Sequence, residues 1–108
     1  MSENLVWHPI GRPAELRFDP GAAVTVGDLE IAVFPLGSTY VAMVNSCPHA
    51  GGPLADGIRS GDSIECTWHG WSFDLATGAC RSVPKRPLHL VPLRSHDGIL
   101  EVGLPKRD

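Results

Sequence analysis

Apolar and polar residues alternate along two stretches in the first half of the chain. Leu29, Ile31 and Val33 interleave with Glu30 and Ala32, and Tyr40, Ala42 and Val44 with Val41 and Met43. That is the period of two expected when a strand buries one face. Gly27-Asp28 separates Val24-Thr25-Val26 from the first run, Gly37-Ser38 separates the first run from the second, and Asp97-Gly98 precedes Ile99 to Leu104. Such dipeptides supply the positive φ angles of tight hairpins, so the pattern predicts antiparallel neighbours. A third apolar face, Trp71, Phe73 and Leu75, stands opposite Ser72 and Asp74 and ends at Ala76-Thr77-Gly78. Nothing reads as a helix beyond a turn or so near Pro13 to Leu16.

Between Asn45 and Leu75 the hairpin rhythm stops. Pro48, Gly51, Gly52, Pro53, Gly57, Gly61 and Gly70 fall among polar residues, which predicts a loop-rich insertion on a small antiparallel β-barrel or sandwich. The expected fold class is all-β. Composition agrees, because 12 Gly and 10 Pro punctuate 108 residues while a hydrophobic content of 43% supplies a core. That length suits one domain, residues 1–108, with the insertion as a subdomain at about 45–84. No repeat or linker divides it.

A formal net charge of -3 lacks the footprint of a protein that neutralises many phosphates, so nucleic acid is excluded as a partner. The start, Met1-Ser2-Glu3-Asn4-Leu5, has neither a basic flank nor an apolar run, and does not read as an export signal. No stretch approaches the roughly 20 apolar residues that cross a bilayer. These features predict a cytoplasmic protein with no membrane partner. Three cysteines are an odd number, two of them in a metal-like pattern, which makes a disulfide framework a poor reading.

That pattern is Cys47-Pro48-His49 and, sixteen residues later, Cys66-Thr67-Trp68-His69. Zinc fingers of the usual kind pair Cys with Cys and His with His, so the alternating order counts against zinc. A two-iron cluster with mixed ligands explains it better, each loop giving one thiolate to one iron and one imidazole to its neighbour.

The run C-x-H, sixteen residues, then C-x-x-H-G-W-x-F-D resembles the Rieske 2Fe-2S family over Ser46 to Leu75. The resemblance implies one 2Fe-2S cluster, with Cys47 and Cys66 on one iron and His49 and His69 on the outer one. The charges make sense of this set. Two ferric ions and two sulfides sum to a dication, which two thiolates bring to neutrality beside neutral imidazoles. Reducing a neutral, partly buried site costs less than reducing an anion, so histidine ligation raises the potential. Gly51, Gly52 and Gly70 are expected to turn the backbone tightly and bring N–H groups towards the sulfurs.

Family members of the respiratory and photosynthetic cytochrome complexes carry a further cysteine in each loop, joined as a disulfide. Here Gly52 and Trp68 take those places, and no clamp can form. Those relatives also present a serine and a tyrosine after the second histidine, where this chain has Trp71 and Phe73. Without those hydroxyl donors the potential is expected near the low end of the Rieske range, about -150 mV. A low potential fits a carrier between a reductase and an oxygenase, and in length and in lacking the loop disulfide the chain resembles the soluble ferredoxin component of bacterial ring-hydroxylating dioxygenase systems. The implied role is transient carriage of single electrons from a flavoprotein reductase to a terminal oxygenase, as a monomer and without catalysis. The chain length leaves no room for the mononuclear-iron domain of an oxygenase.

Two other roles compete. A small redox subunit of an assimilatory nitrite reductase is similar in size and fold, and a structural zinc module is the reading from another class. His8, His89 and His96 lie outside any Cys-His spacing and read as surface or core residues. Cys80 reads as a small buried hydrophobe. Trp71 and Phe73 read as core beneath the cluster loops. Trp68 is either packed against the other loop or part of an apolar docking rim with Pro48, Ala50 and Leu54. Ser82-Val83-Pro84 resembles the proline loop that covers the cluster in the family.

Overall fold

A computed structural model describes residues 4–48, 51–67, 70–82 and 86–106. Its strands are β1 (Leu5–Gly11), β2 (Ala22–Val26), β3 (Leu29–Leu36), β4 (Thr39–Val44), β5 (Ile58–Ser60), β6 (Ser63–Glu65), β7 (Ser72–Asp74), β8 (Leu90–Val91), β9 (Leu93–His96) and β10 (Ile99–Pro105). One 3-10 turn, Pro13–Glu15, interrupts them where the sequence suggested a single turn.

The strands form three antiparallel sheets, ordered β1-β10-β9, β2-β3-β4-β8 and β5-β6-β7. The three expected hairpins form at the expected dipeptides. Asp97 and Gly98, at φ 53° and 79°, both take the left-handed conformation that this tight turn demands. Gly61-Asp62 makes a fourth hairpin of the same length between β5 and β6, with Gly61 at φ 59°. The all-β expectation therefore holds.

The one-face expectation for β3 does not. Ile31, Ala32, Val33 and Phe34 are all fully buried, because β3 runs through the middle layer of three. Its odd positions, Ile31 and Val33, pack with Ala42 of β4 and with Leu100 and Val102 of β10. Its even positions, Ala32 and Phe34, pack with Met43, Leu54, Ile64, Phe73 and Leu75 beneath the third sheet. Pleating sends successive side chains to opposite faces, so one strand lines two cores. Full burial of each large side chain contributes roughly 1.5–3 kcal/mol, which makes this strand a large share of the stability.

The second core holds both cysteines of the sequence motif. At Gly21 a Cβ would meet the Phe34 ring at 2.7 Å, so only glycine lets the chain cross that ring. At Gly57 a Cβ would collide with the Glu65 carbonyl oxygen, which fixes how closely the first loop of the insertion approaches β6.

Candidate metal centre

Both cysteines of the motif continue the core-facing row of a strand. Val41 and Met43 of β4 face the second core, and keeping that parity past the strand end brings Asn45 and Cys47 inward. Ile64 of β6 faces the same core, and Cys66 lies two residues on. Cys47 and Cys66 are 1% and 0% exposed, in one apolar cluster with Leu54, Ile64, Phe73 and Leu75. None of the three cysteines is in a disulfide.

The two loops share one backbone turn. Cys47 N donates to Gly52 O and Gly51 N donates to Cys47 O, at 2.8 and 2.7 Å. Cys66 N donates to Trp71 O and Gly70 N to Cys66 O, both at 2.8 Å. Gly51 and Gly70 have φ of 77° and 73°, the left-handed conformation that glycine adopts without strain. The tight turns expected of these two glycines are therefore present, and their own N–H groups go to the cysteine carbonyls.

His49 and His69, with Ala50, Trp68, Val83 and Pro84, lie outside the described residues. The expectations placed on them, the outer-iron ligands, the Trp68 rim and the proline loop, therefore rest on the sequence, except that Leu54, expected in that rim, is fully buried in the core instead. The described part fits a cluster. Two thiols of the right softness arrive in one dry core on duplicate turns, and in the sequence each is followed within three residues by an imidazole.

Phe73 is fully buried and Trp71 half-buried against the same core, as expected of residues under the loops. Cys80 is 3% exposed in that core, in a bridge opposite Phe73, the place of a small hydrophobe. Ser82 supplies a hydroxyl to the N–H of Ser72, at 3.2 Å, so its segment runs along β7. His8 is half-buried on β1, while His89 and His96 are exposed.

Sequence reasoning passed over Asn45. Its side chain ties the first loop to β3, with Nδ2 donating to Glu30 Oε1 at 2.7 Å and Oδ1 accepting from Ala55 N at 2.8 Å. A signal was present, because counting outwards from the two-residue turn Gly37-Ser38 sets Glu30 opposite Asn45. Asp74 anchors the far side of the second loop. Ala76 N donates to its carboxylate and holds its pKa below the ordinary value, against partial desolvation, with further help from Thr77 N and Arg81.

Comparison with known proteins decides the family. The Rieske [2Fe-2S] domain model matches residues 6–95, most of the chain. The chain belongs to the Rieske family. With membership comes one 2Fe-2S cluster of Rieske type, and the zinc reading is displaced. Among curated Rieske relatives, the chain is similar to ferredoxin CarAc of Metapseudomonas resinovorans, at 37% identity over 96% of this chain and 99% of that one. It is also similar to the anthranilate 1,2-dioxygenase ferredoxin subunit of Burkholderia cepacia, at 35% identity over 91% of this chain and 92% of the relative. Its fold matches a chain in the complex of reduced oxygenase and oxidized ferredoxin in carbazole 1,9a-dioxygenase, with a TM-score of 0.80 and 28% identity over 97% of this chain and all of that one.

Proposed function

We propose that this Rieske domain is a soluble ferredoxin that passes single electrons from a flavoprotein reductase to a terminal, aromatic-ring-hydroxylating oxygenase. One observation carries the reading, namely that the likeness to dioxygenase ferredoxins runs over 92% to 99% of their own length. The shared unit is thus a whole small carrier, and those relatives are electron-transfer components rather than catalytic ones. A reductase as donor, a monomeric state and a cytoplasmic location belong to the same proposal. They are supported by the type of system the relatives serve, and no helix among the described residues is long and apolar enough to cross a membrane.

In this reading residues 1–108 act as one domain, with about 45–84 carrying the cluster. Cys47 and Cys66 hold one iron, and His49 and His69 hold the other. When bound, the cluster supplies a store for one electron. Leu54, Ile64, Phe73 and Leu75 keep water from the two thiolates, so the charge change on reduction is felt in a medium of low dielectric. The duplicate turns at Gly51 and Gly70 set the two cysteines without help from a disulfide. No observation beyond shared size and fold favours a nitrite reductase subunit.

Electron paramagnetic resonance of the dithionite-reduced protein, with iron and acid-labile sulfide analysis, tests the cofactor. Reduction by a flavoprotein reductase and reoxidation by an oxygenase, with partners that separate on gel filtration, test the role. Co-purification with a large catalytic chain at fixed ratio would overturn the carrier reading.

A further inference from the structure

Loop 1 of the site is closed by a side chain. Asn45 is 8% exposed, one of two buried polar residues among those described, and its bonds both tie the loop to the barrel and close the loop on itself. Its N–H donates to Glu30 O at 2.9 Å and its Nδ2 to Glu30 Oε1, so two bonds hold it against β3. Its Oδ1 accepts the buried N–H of Ala55, and Ala55 O in turn accepts from Gly21 N at 3.1 Å. The amide can sit only one way round, because a carboxylate oxygen accepts and a backbone N–H donates.

We infer that Asn45 is a positioning residue for the metal centre, closing residues 45–55 into a ring around Cys47 and holding that ring on β3 through Glu30. This rests on the reading of Cys47 as a ligand. Within the ring the Cys47 turn already closes on itself through Gly51 and Gly52. Asn45 ties that turn to the barrel two residues upstream of Cys47, through both of its bonds to Glu30. Loop 2 needs no such device, since β6 and β7 pair through Glu65 and Ser72 on either side of it. The two ligand loops are therefore built alike and anchored differently, one by strand pairing and the other by a buried amide.

Three variants test this: Asn45→Ala, Asn45→Asp, and the double exchange Asn45→Asp with Glu30→Gln. The first leaves the Ala55 N–H without its partner. The second keeps that bond but sets a second carboxylate against Glu30. The third restores a donor and an acceptor with their roles reversed, the new amide at position 30 donating to the new carboxylate at position 45. Iron release to a chelator is expected to quicken about tenfold in Asn45→Ala, the scale of one buried donor left unsatisfied. It should also quicken in Asn45→Asp and return to within about twofold of wild type in the exchange, since a swapped pair restores both bonds. The midpoint potential and the g values of the reduced centre should move and return in step.

Val102→Ala, in the other core, serves as the control. It lowers overall stability and should leave the g values where they are. Wild-type release rate and g values in Asn45→Ala overturn the inference. If that variant does not fold, an exchange that releases iron as fast as Asn45→Asp alone overturns it instead. A wild-type protein without acid-labile sulfide overturns the ligand reading itself, which the first two outcomes leave intact.

Discussion

Gly51 and Gly70 occupy the same place in two separate loops. Each stands four residues after a buried cysteine, has positive φ, and donates its N–H to that cysteine's carbonyl, at 2.7 and 2.8 Å. Among the described residues the nearest atoms to a Cβ at these positions lie 3.8 and 3.7 Å away, an ordinary contact distance, so it is the backbone conformation that resists a side chain. Gly51→Ala and Gly70→Ala should therefore each cost about 1–2 kcal/mol in urea unfolding, by nearly equal amounts. Gly57→Ala should cost distinctly more, because its Cβ meets backbone. Unequal losses at 51 and 70 would show that the turns are not equivalent.

The proposed ligands make the sharpest prediction. Replacing Cys47 or Cys66 by serine should abolish bound iron and acid-labile sulfide. Replacing His49 or His69 by alanine should lose the cluster or change its visible spectrum, since one iron is left short of a ligand. A full complement of metal with unaltered colour after either histidine change would sink the assignment.

The potential follows from what surrounds the sulfurs. With a tryptophan and a buried phenylalanine where high-potential members have hydroxyl donors, the midpoint should lie near the low end of the Rieske range, about -150 mV. A voltammetric value above about +100 mV would contradict this. Adding the missing hydroxyl by Phe73→Tyr should not mimic those members cheaply. Phe73 is 0% exposed, and a hydroxyl there must find a partner inside the core or destabilise it.

Asp74 should give the protein a pH dependence with a definite sign. Its pKa is lowered in the folded chain, first by the N–H of Ala76. Its contribution is then present above the ordinary carboxylate pKa near 4 and is lost as pH falls through the lower folded value. Asp74→Asn should melt below wild type at neutral pH, and the difference should shrink under acid conditions. A gap in melting temperature that stays constant down through the carboxylate range would refute this.

Much of this was legible in the chain, for reasons that differ by element. Gly27-Asp28, Gly37-Ser38 and Asp97-Gly98 announced their hairpins because so few residues tolerate those turn angles. β5 and β6, three residues each, are too short to display a period, although Gly61-Asp62 carries the same turn chemistry. β1 lacks clean alternation and holds Pro9, which disguises a strand. The two burials of β3 were hidden because alternation reports how a strand is faced only when one side meets water. The cysteines stood out by spacing, whereas Asn45 is ordinary in sequence and acquires its role only once β3 and β4 are in register.

The double lining of β3 limits how this protein can change. A residue gained or lost within that strand would exchange Ile31 and Val33 with Ala32 and Phe34, putting wrong volumes on both sides at once. Length variation during evolution should collect in the turns and spare this segment, so the iron-bearing half and the opposite half must drift together.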